Sequence, residues 1–314
     1  MRLPLPRQLA GWLVRTSRRL ALPAGLLLGA WVPAQASSLN LCADPAPHST
    51  QQESQLLLFS HAIRETLEAS GHQAAIISRA GTSLDWFSIR YTHAGVSLRD
   101  SANTPWSVRQ LYYACDENKP HLYDQGLAGF IQDNDGRDSA YASIVLLPPE
   151  AEQALIARAT SNPAALALLS SHYSANAYAY STQFQNCNQW LAELLASAWG
   201  YLPDTLPPRE AAQQWLREQH YDPDNVDVKL RILIWAANVI PLLHNSDHPA
   251  ANLAEDRYAV ALPTSIETFV HTLWPEARRI EMCLARGRIV THEGWERFGK
   301  DCTPQAGDTV TDLN

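Results

Sequence analysis

The chain has 314 residues, of which 46% are hydrophobic and 18% charged, and its formal net charge is −8 at pH 7. This length allows one large domain or two small ones with an ample core. An acidic chain is repelled by nucleic acid and by anionic lipid, so the composition argues against both as partners.

Residues 1–36 have the pattern of an export signal. Five arginines accompany an apolar run over 20–32, and Ala34-Gln35-Ala36 is a small-x-small cleavage site. The Arg18-Arg19 pair leaves the twin-arginine route open as an alternative. Removing the segment takes away five arginines and no acids, so the charge falls from −8 to −13. The sequence therefore predicts an exported, periplasmic protein, with no membrane span in the mature chain.

Hydrophobic periodicity and turn residues predict an α+β chain. The expected elements are a helix over 51–70, strands over 74–78, 89–98, 106–113 and 141–147, helices opened by prolines 149 and 163, a helix over 187–199, a helix from 207, a buried helix within 232–243, a helix over 265–273, and a hairpin of strands 279–283 and 288–291. The segment 123–136 is expected to be loop or short helix, and residues beyond 304 to be mobile. We expect a signal peptide over 1–36 and one domain over 37–222, an antiparallel sheet packed on helices. Residues 223–314 would form an extension on the same core.

The most informative segment surrounds Cys187, where a polar and aromatic stretch gives way to a helix. Apolar residues at helical spacing follow the cysteine, and Gly200 stands where a C-terminal cap belongs. A thiol in the first turn of a helix feels unpaired backbone N–H groups and the positive end of the helix dipole. That environment favours the thiolate, which is the nucleophilic form of cysteine. The alternative is an inert cysteine packed against the core.

A histidine that could serve such a thiol lies on the strand predicted over 89–98. Alternation places His93 on one face of this strand, and Gln110 lies beside it on the next strand of the hairpin. A nucleophilic cysteine requires a base, and the base requires a polar partner that fixes its tautomer. Cys187, His93 and Gln110 would fill these roles. The alternatives are a hydrogen-bonded core histidine and an ordinary strand amide.

These motifs carry a resemblance to a known superfamily. The block Asn186-Cys187-Asn188-Gln189-Trp190 resembles the Asn-Cys-x-x-aromatic helix start of circularly permuted NlpC-type proteins. These are papain-like thiol enzymes that include the lecithin:retinol acyltransferase-like group. The run Tyr-Thr-His-Ala-Gly-Val over 91–96 is similar to their His-x-Gly strand, and His93 precedes Cys187 as in the permuted branch.

The resemblance covers residues 74–200 and implies a papain-like domain with Cys187 as nucleophile and His93 as base. Permuted relatives usually have His or Glu at the third polar position, where this chain has Gln110. A neutral amide can orient an imidazole but stabilises an imidazolium less than a carboxylate would. The mature chain also resembles an uncharacterised bacterial family of unknown function, to which the run over 103–116 is similar.

Four cysteines remain beside Cys187. Outside the cytoplasm an even set favours disulfides and leaves one thiol over. We expect the pairs Cys283–Cys302 and Cys42–Cys115, although spacing alone does not prove this connectivity. Closure of the first pair would contribute about 3 kcal/mol by the chain-entropy argument. Zinc is a poor rival because no close cysteine pair exists, and we expect neither a metal nor a cofactor.

The leading hypothesis is an exported cysteine hydrolase that cleaves an amide or ester through an acyl-enzyme thioester. The N–H of Cys187 would stabilise the oxyanion, and Gln183 is a candidate second donor, although an ordinary turn amide is the simpler interpretation. The resemblance implies a cell-wall peptide or a lipid-linked amide as substrate. The alternatives are an acyltransferase with the same three residues and a non-catalytic module that binds a glycan or peptide. The sequence does not define the oligomeric state.

Overall fold

The computed structural model describes residue 42 and residues 47–134, 139–299 and 301–313. The predicted signal peptide over 1–36 lies outside the described residues. Runs of strands and runs of helices follow one another within the described part, and a large antiparallel sheet packs on helices, so the expected α+β class is confirmed. None of the helices in these ranges is both long and apolar enough to cross a membrane.

Eight strands form one antiparallel sheet. They are β1 (Ala74–Arg79), β2 (His93–Leu98), β3 (Ser107–Ala114), β4 (Lys119–Gln125), β5 (Ser139–Leu146), β8 (Arg278–Ala285), β9 (Arg288–Glu293) and β10 (Thr309–Asp312). Their order across the sheet is β10-β9-β8-β5-β1-β2-β3-β4. A separate antiparallel pair consists of β6 (Asp224–Asp227) and β7 (Arg257–Val260). The last three strands of the chain therefore extend the sheet that also contains β2 and β3.

Helices cover both faces of this sheet. The α-helices of the described residues are α1 (Thr50–Ala69), α2 (Leu127–Gln132), α3 (Pro149–Ala159), α4 (Asn162–Ala167), α5 (Cys187–Trp199), α6 (Pro208–Glu218), α7 (Arg231–Ala237), α8 (Ala250–Ala254) and α9 (Pro263–Leu273). Helices α1 and α2 pack on the face that includes Ile77 and Val108, which we call the α2 face. Helices α3, α5 and α9 pack on the opposite face, which includes Ile76 and Leu111 and which we call the α5 face. Successive side chains of a strand point to opposite faces, so Ile76 and Ile77 belong to different clusters.

Several segments differ from the expectation, and the short elements β6, β7 and α8 were not predicted. The edge strand β4 was not predicted; it contains Pro120, which an edge strand tolerates because one side of its backbone needs no partner. The tail beyond 304 was expected to be mobile, yet β10 pairs with β9. The apolar run within 232–243 was expected to be a buried helix, but α7 leaves Ile232 and Trp235 largely exposed. The missed strands β4 and β10 lie at the two edges of the eight-stranded sheet, where little burial is required and the hydrophobic alternation is weak.

Candidate active site

Cys187 is the first residue of α5 and is buried. The side chain of Asn186 caps the helix by accepting a hydrogen bond from the backbone N–H of Gln189, with 2.7 Å between the heavy atoms. Burial raises the pKa of the Cys187 thiol to about 11, although the positive charge of Arg79 and the backbone N–H groups of Asn188 and Cys187 act in the opposite direction. The helix start alone would favour the thiolate, but desolvation outweighs it. The resting side chain is a neutral thiol near pH 7.

Tyr173 is a residue near Cys187 whose influence on the thiol sequence reasoning missed. Its interaction with Cys187 lowers the pKa of the thiol. Burial, together with the nearby Cys187, raises the pKa of Tyr173 well above its usual value, so the phenol keeps its proton. Tyr173 lies in the irregular segment before α5, and its ring centroid is 5.1 Å from that of Tyr113 on β3. No periodic pattern distinguishes it from other tyrosines of that segment, so its role depends on tertiary contacts.

His93 is the first residue of β2, and its Nε2 contacts Oε1 of Gln110 on β3. The amide nitrogen of Gln110 donates to Oε1 of Gln125 on β4, with 2.5 Å between the atoms. Because the amide nitrogen of Gln110 is used by Gln125, its oxygen accepts the hydrogen bond from His93, and the imidazole carries its proton on Nε2. Nδ1 of His93 is then the nitrogen with a free lone pair. The structure thus brings together His93 and Gln110.

The surroundings of His93 keep the imidazole neutral. Burial, and secondarily the positive charge of Arg79, lower the pKa of His93 to about 3, against the opposing effect of the Gln110 hydrogen bond. Arg79 is the cross-strand neighbour of His93 on β1. Its guanidinium is paired with Asp133 at 2.5 Å and lies 5.2 Å from the ring centroid of Phe130. The same arginine influences Cys187, so one buried cation acts on both candidate groups.

His93 and Cys187 lie on either side of the first residues of β2. The side-chain amide of Asn188 donates to the carbonyl oxygen of Thr92 at 3.0 Å, which attaches the start of α5 to the residue before His93. Ala94 packs in the same cluster as Cys187, on the α5 face. Alternation turns His93 to the α2 face, where its ring centroid is 5.9 Å from that of Phe130. Among the hydrogen bonds of the described residues, none joins His93 to Cys187.

Comparison with known proteins identifies a family. Residues 66–270 match a bacterial family described as "Uncharacterized protein conserved in bacteria (DUF2145)". The chain belongs to this family. Cys187, His93 and Gln110 all lie within the matched segment, whereas the last three strands lie beyond it. No curated protein and no solved structure matches the chain.

A buried polar network holds the segment that precedes α5. The carboxylate of Glu193 on α5 pairs with Arg209 on α6 at 2.8 Å and accepts a hydrogen bond from the amide of Gln185 at 2.6 Å. Arg209 also donates to the carbonyl oxygens of Thr182 at 2.8 Å and Phe184 at 3.0 Å. One arginine therefore links α6, α5 and the segment leading to the candidate nucleophile.

Gln183 was the candidate second oxyanion donor. Its side chain is exposed, and its amide nitrogen donates to the hydroxyl of Ser246 at 2.9 Å. The groups that lower the pKa of the Cys187 thiol are Arg79, the backbone N–H groups of Cys187 and Asn188, and the hydroxyl of Tyr173. Each of them favours negative charge next to Cys187.

The structure contains the disulfides Cys42–Cys115 and Cys283–Cys302, and Cys187 is the free cysteine. The expectation of disulfide bonds is confirmed, and both pairs are those suggested from the sequence. Disulfides persist in oxidising compartments, so they indicate a location outside the cytoplasm. The described residues include no group of three or more His, Cys, Asp or Glu side chains arranged to hold a metal ion.

Proposed function

We propose that this chain is an exported thiol hydrolase on a permuted papain-like scaffold of the NlpC type. It would cleave an amide or ester bond through an acyl-enzyme on Cys187. The observation that carries the proposal is the position of the free cysteine at the start of α5, which Asn188 attaches to the strand end bearing His93. A cysteine left unpaired while the other four form two disulfides, in a protein whose neutral histidine has a fixed tautomer at the adjoining strand end, supports nucleophilic chemistry.

In the proposed reaction, Sγ of Cys187 attacks the carbonyl carbon and its proton passes to Nδ1 of His93. The imidazolium then protonates the leaving amine or alkoxide as the carbon–nitrogen or carbon–oxygen bond breaks, which leaves a thioester on Cys187. Water attacks this thioester while His93 takes its proton, and the returned proton restores the thiol. The N–H groups at the start of α5 and the hydroxyl of Tyr173 would stabilise the oxyanion of both steps.

The resting pair is neutral, because the thiol has a raised pKa and the imidazole a lowered one. Proton transfer would therefore accompany attack rather than precede it. His93 must first move around the end of β2 to reach the sulfur. Pairing of β2 with β3 begins only at Val96, so the residues next to His93 have no ladder partner on that side, which supports such a movement.

For the substrate we propose a cell-wall peptide or a lipid-linked amide, in keeping with export and with the NlpC-type resemblance. Transfer of the acyl group to an amine or alcohol instead of water would need the same residues. The second candidate function is a non-catalytic module that binds a glycan or peptide. The separation of His93 from Cys187 on opposite faces of β2 favours that candidate.

Acylation by an activated ester separates these functions without knowledge of the natural substrate. The purified exported protein, with its disulfides intact, is incubated with p-nitrophenyl acetate, and the adduct on Cys187 is followed by intact mass and by release of nitrophenol. We expect His93→Ala to slow acylation at least about 100-fold, the contribution of general base catalysis, and Cys187→Ser to remove the adduct. His121→Ala is the matched control, because His121 lies partly exposed on β4 and bonds only to Glu117.

Equal acylation rates in the wild type and in His93→Ala would contradict the proposed catalytic function and favour the non-catalytic binding module. If the His93 dependence is observed, an added amine acceptor distinguishes the two enzyme classes. A hydrolase releases acetate whether or not the amine is present, whereas a transferase forms the acetylated amine at the expense of acetate.

A further inference from the structure

A group of exposed large apolar side chains lies close together on and around α7. Leu230 is 50% exposed, Ile232 and Trp235 are each 66% exposed, and Val239 is 69% exposed. Ile234, between them, is buried in a cluster with Tyr258 on β7. The helix is therefore anchored by one apolar side and presents a second apolar side outward. Four large apolar side chains exposed within ten residues mark an interaction surface rather than scattered surface residues.

The charge of this segment is opposite to that of the chain. No aspartate or glutamate occurs between Asp227 and Asp247, and this interval contains Lys229 and Arg231. The chain without residues 1–36 carries a formal charge of −13. Nε of Arg231 lies 3.7 Å from a carboxylate oxygen of Asp256, and the arginine side chain remains 73% exposed. Cations and exposed apolar side chains thus occur together in this segment, whereas the acidic remainder of the protein would repel an anionic surface.

We propose that the segment 229–239, which we call the α7 surface, docks the protein on an anionic lipid surface. Exposed Trp, Ile, Leu and Val side chains would enter the headgroup region, and Lys229 and Arg231 would lie against the anionic headgroups. This charge complementarity selects a lipid surface over a second copy of the same acidic chain, whose charge would oppose association. The overall composition argued against anionic lipid, but the structure shows that the charge is not spread evenly.

The α7 surface is connected to the candidate active site. Leu242 lies in the segment that follows α7, and its carbonyl oxygen accepts a hydrogen bond from the backbone N–H of Ala175, with 2.8 Å between the atoms. The ring of His244 stacks on that of Phe184, with centroids 4.2 Å apart. These contacts join the α7 surface to the segment just before Cys187. Docking would therefore hold that segment near the membrane, a consequence that rests on the proposed function and favours its lipid-linked substrate.

Co-sedimentation with vesicles tests the docking itself. The exported protein is mixed with vesicles of phosphatidylcholine alone and with vesicles containing phosphatidylglycerol, at low and high salt. We expect binding to the anionic vesicles that weakens as salt increases. Ile232→Asp with Trp235→Asp, and separately Lys229→Glu with Arg231→Glu, should each weaken binding at least about tenfold.

Matched controls are available on other helices. Leu57→Asp with Leu166→Asp alters two apolar side chains that are each about half exposed on α1 and α4. Arg64→Glu with Arg158→Glu makes the same change in net charge on α1 and α3. Both control pairs should bind anionic vesicles as the wild type does. All of these substitutions lie at exposed positions, so thermal unfolding can confirm that each variant is folded.

The contrary results are distinct. Equal binding to both vesicle types, no binding to either, or equal losses in the controls would overturn the proposal. A dimer in light scattering that Ile232→Asp dissociates, without vesicle binding, would make a second copy of the chain the occupant and also overturn it. Because the assay measures no chemistry, and Cys187→Ser should bind vesicles as the wild type does, its failure is distinguishable from failure of the thiol hydrolase.

Discussion

Different interactions position the two candidate catalytic groups, Cys187 and His93, on the two faces of the sheet at the start of β2. On the α5 face, Cys187 follows a segment fixed by the buried Glu193–Arg209 ion pair. On the α2 face, His93 is oriented by the neutral amides of Gln110 and Gln125. A buried ion pair provides position at the expense of two desolvated charges, whereas an amide relay fixes a tautomer without supplying charge. The thiol side should therefore respond to mutation mainly through stability, and the histidine side mainly through pH.

Removal of Arg209 should produce the largest effect. Arg209→Met would leave the Glu193 carboxylate buried without its partner, and losing one member of a buried pair costs about 3–5 kcal/mol. The free energy of unfolding from urea titration at pH 7 measures this loss. Arg217→Met is the matched control on α6, because the Arg217 guanidinium is exposed and lies over the ring of Tyr180.

The double variant Glu193→Leu with Arg209→Met should recover part of the loss, because no unpaired charge would remain. A loss below about 1 kcal/mol in Arg209→Met would show that water or a rearranged side chain replaces the arginine. The contrast between the two sides of β2 would then lose its basis on the α5 face.

The histidine side should produce a pH dependence of intermediate size. The folded pKa of His93 is about 3, and the unfolded chain binds the same proton near the ordinary value of 6.5. The contribution of His93 to the free energy of unfolding is therefore fully present above the ordinary pKa. It is lost as the pH falls toward the folded pKa, because the unfolded state then binds more protons than the folded state. One such group changes the free energy of unfolding by at most about 1.4 kcal/mol per pH unit.

His93→Gln removes this contribution, so urea titrations between pH 4 and 7 should show a shallower slope than in the wild type. Burial also lowers the pKa of His248, but that histidine contributes equally to both proteins and cancels in the difference. His121→Gln provides the control for a partly exposed histidine. Parallel slopes for His93→Gln and the wild type would mean that the imidazole is hydrated in the folded state.

Local pattern was sufficient for elements that bury a regular face. The apolar stripe after Cys187 and the cap at Gly200 located α5, and the alternation in two neighbouring strands located the β2–β3 hairpin. The contact of His93 with Gln110 followed from that hairpin, because a hairpin fixes its cross-strand neighbours. These features depend on short separations along the chain, which a single sequence displays.

Long-range packing supplied what the pattern could not. Alternation separates His93 from Ala94, but which helix covers each face depends on distant segments, so the placement of His93 away from Cys187 was not foreseen. The influence of Arg79 and Tyr173 on the sulfur likewise arises from other parts of the fold. The raised pKa of the thiol has the same origin, because burial is a property of the whole structure and the helix start is a local one.

Asn188 is the residue that joins the two sides, and its removal should have the smallest effect on stability. Asn188→Ala deletes the hydrogen bond to the carbonyl oxygen of Thr92, and one such bond contributes about 1 kcal/mol. The same urea titration at pH 7 measures the loss. Asn238→Ala is the control, because its amide bonds only to Trp235 nearby in the chain and the residue is exposed, so it should change stability by less than about 0.5 kcal/mol.

If Asn188 also holds the start of α5 within reach of His93, its alanine variant should acylate more slowly with p-nitrophenyl acetate while Asn238→Ala does not. Unchanged acylation together with lost stability would mean that Asn188 contributes only to packing. Other residues would then bring His93 and Cys187 together.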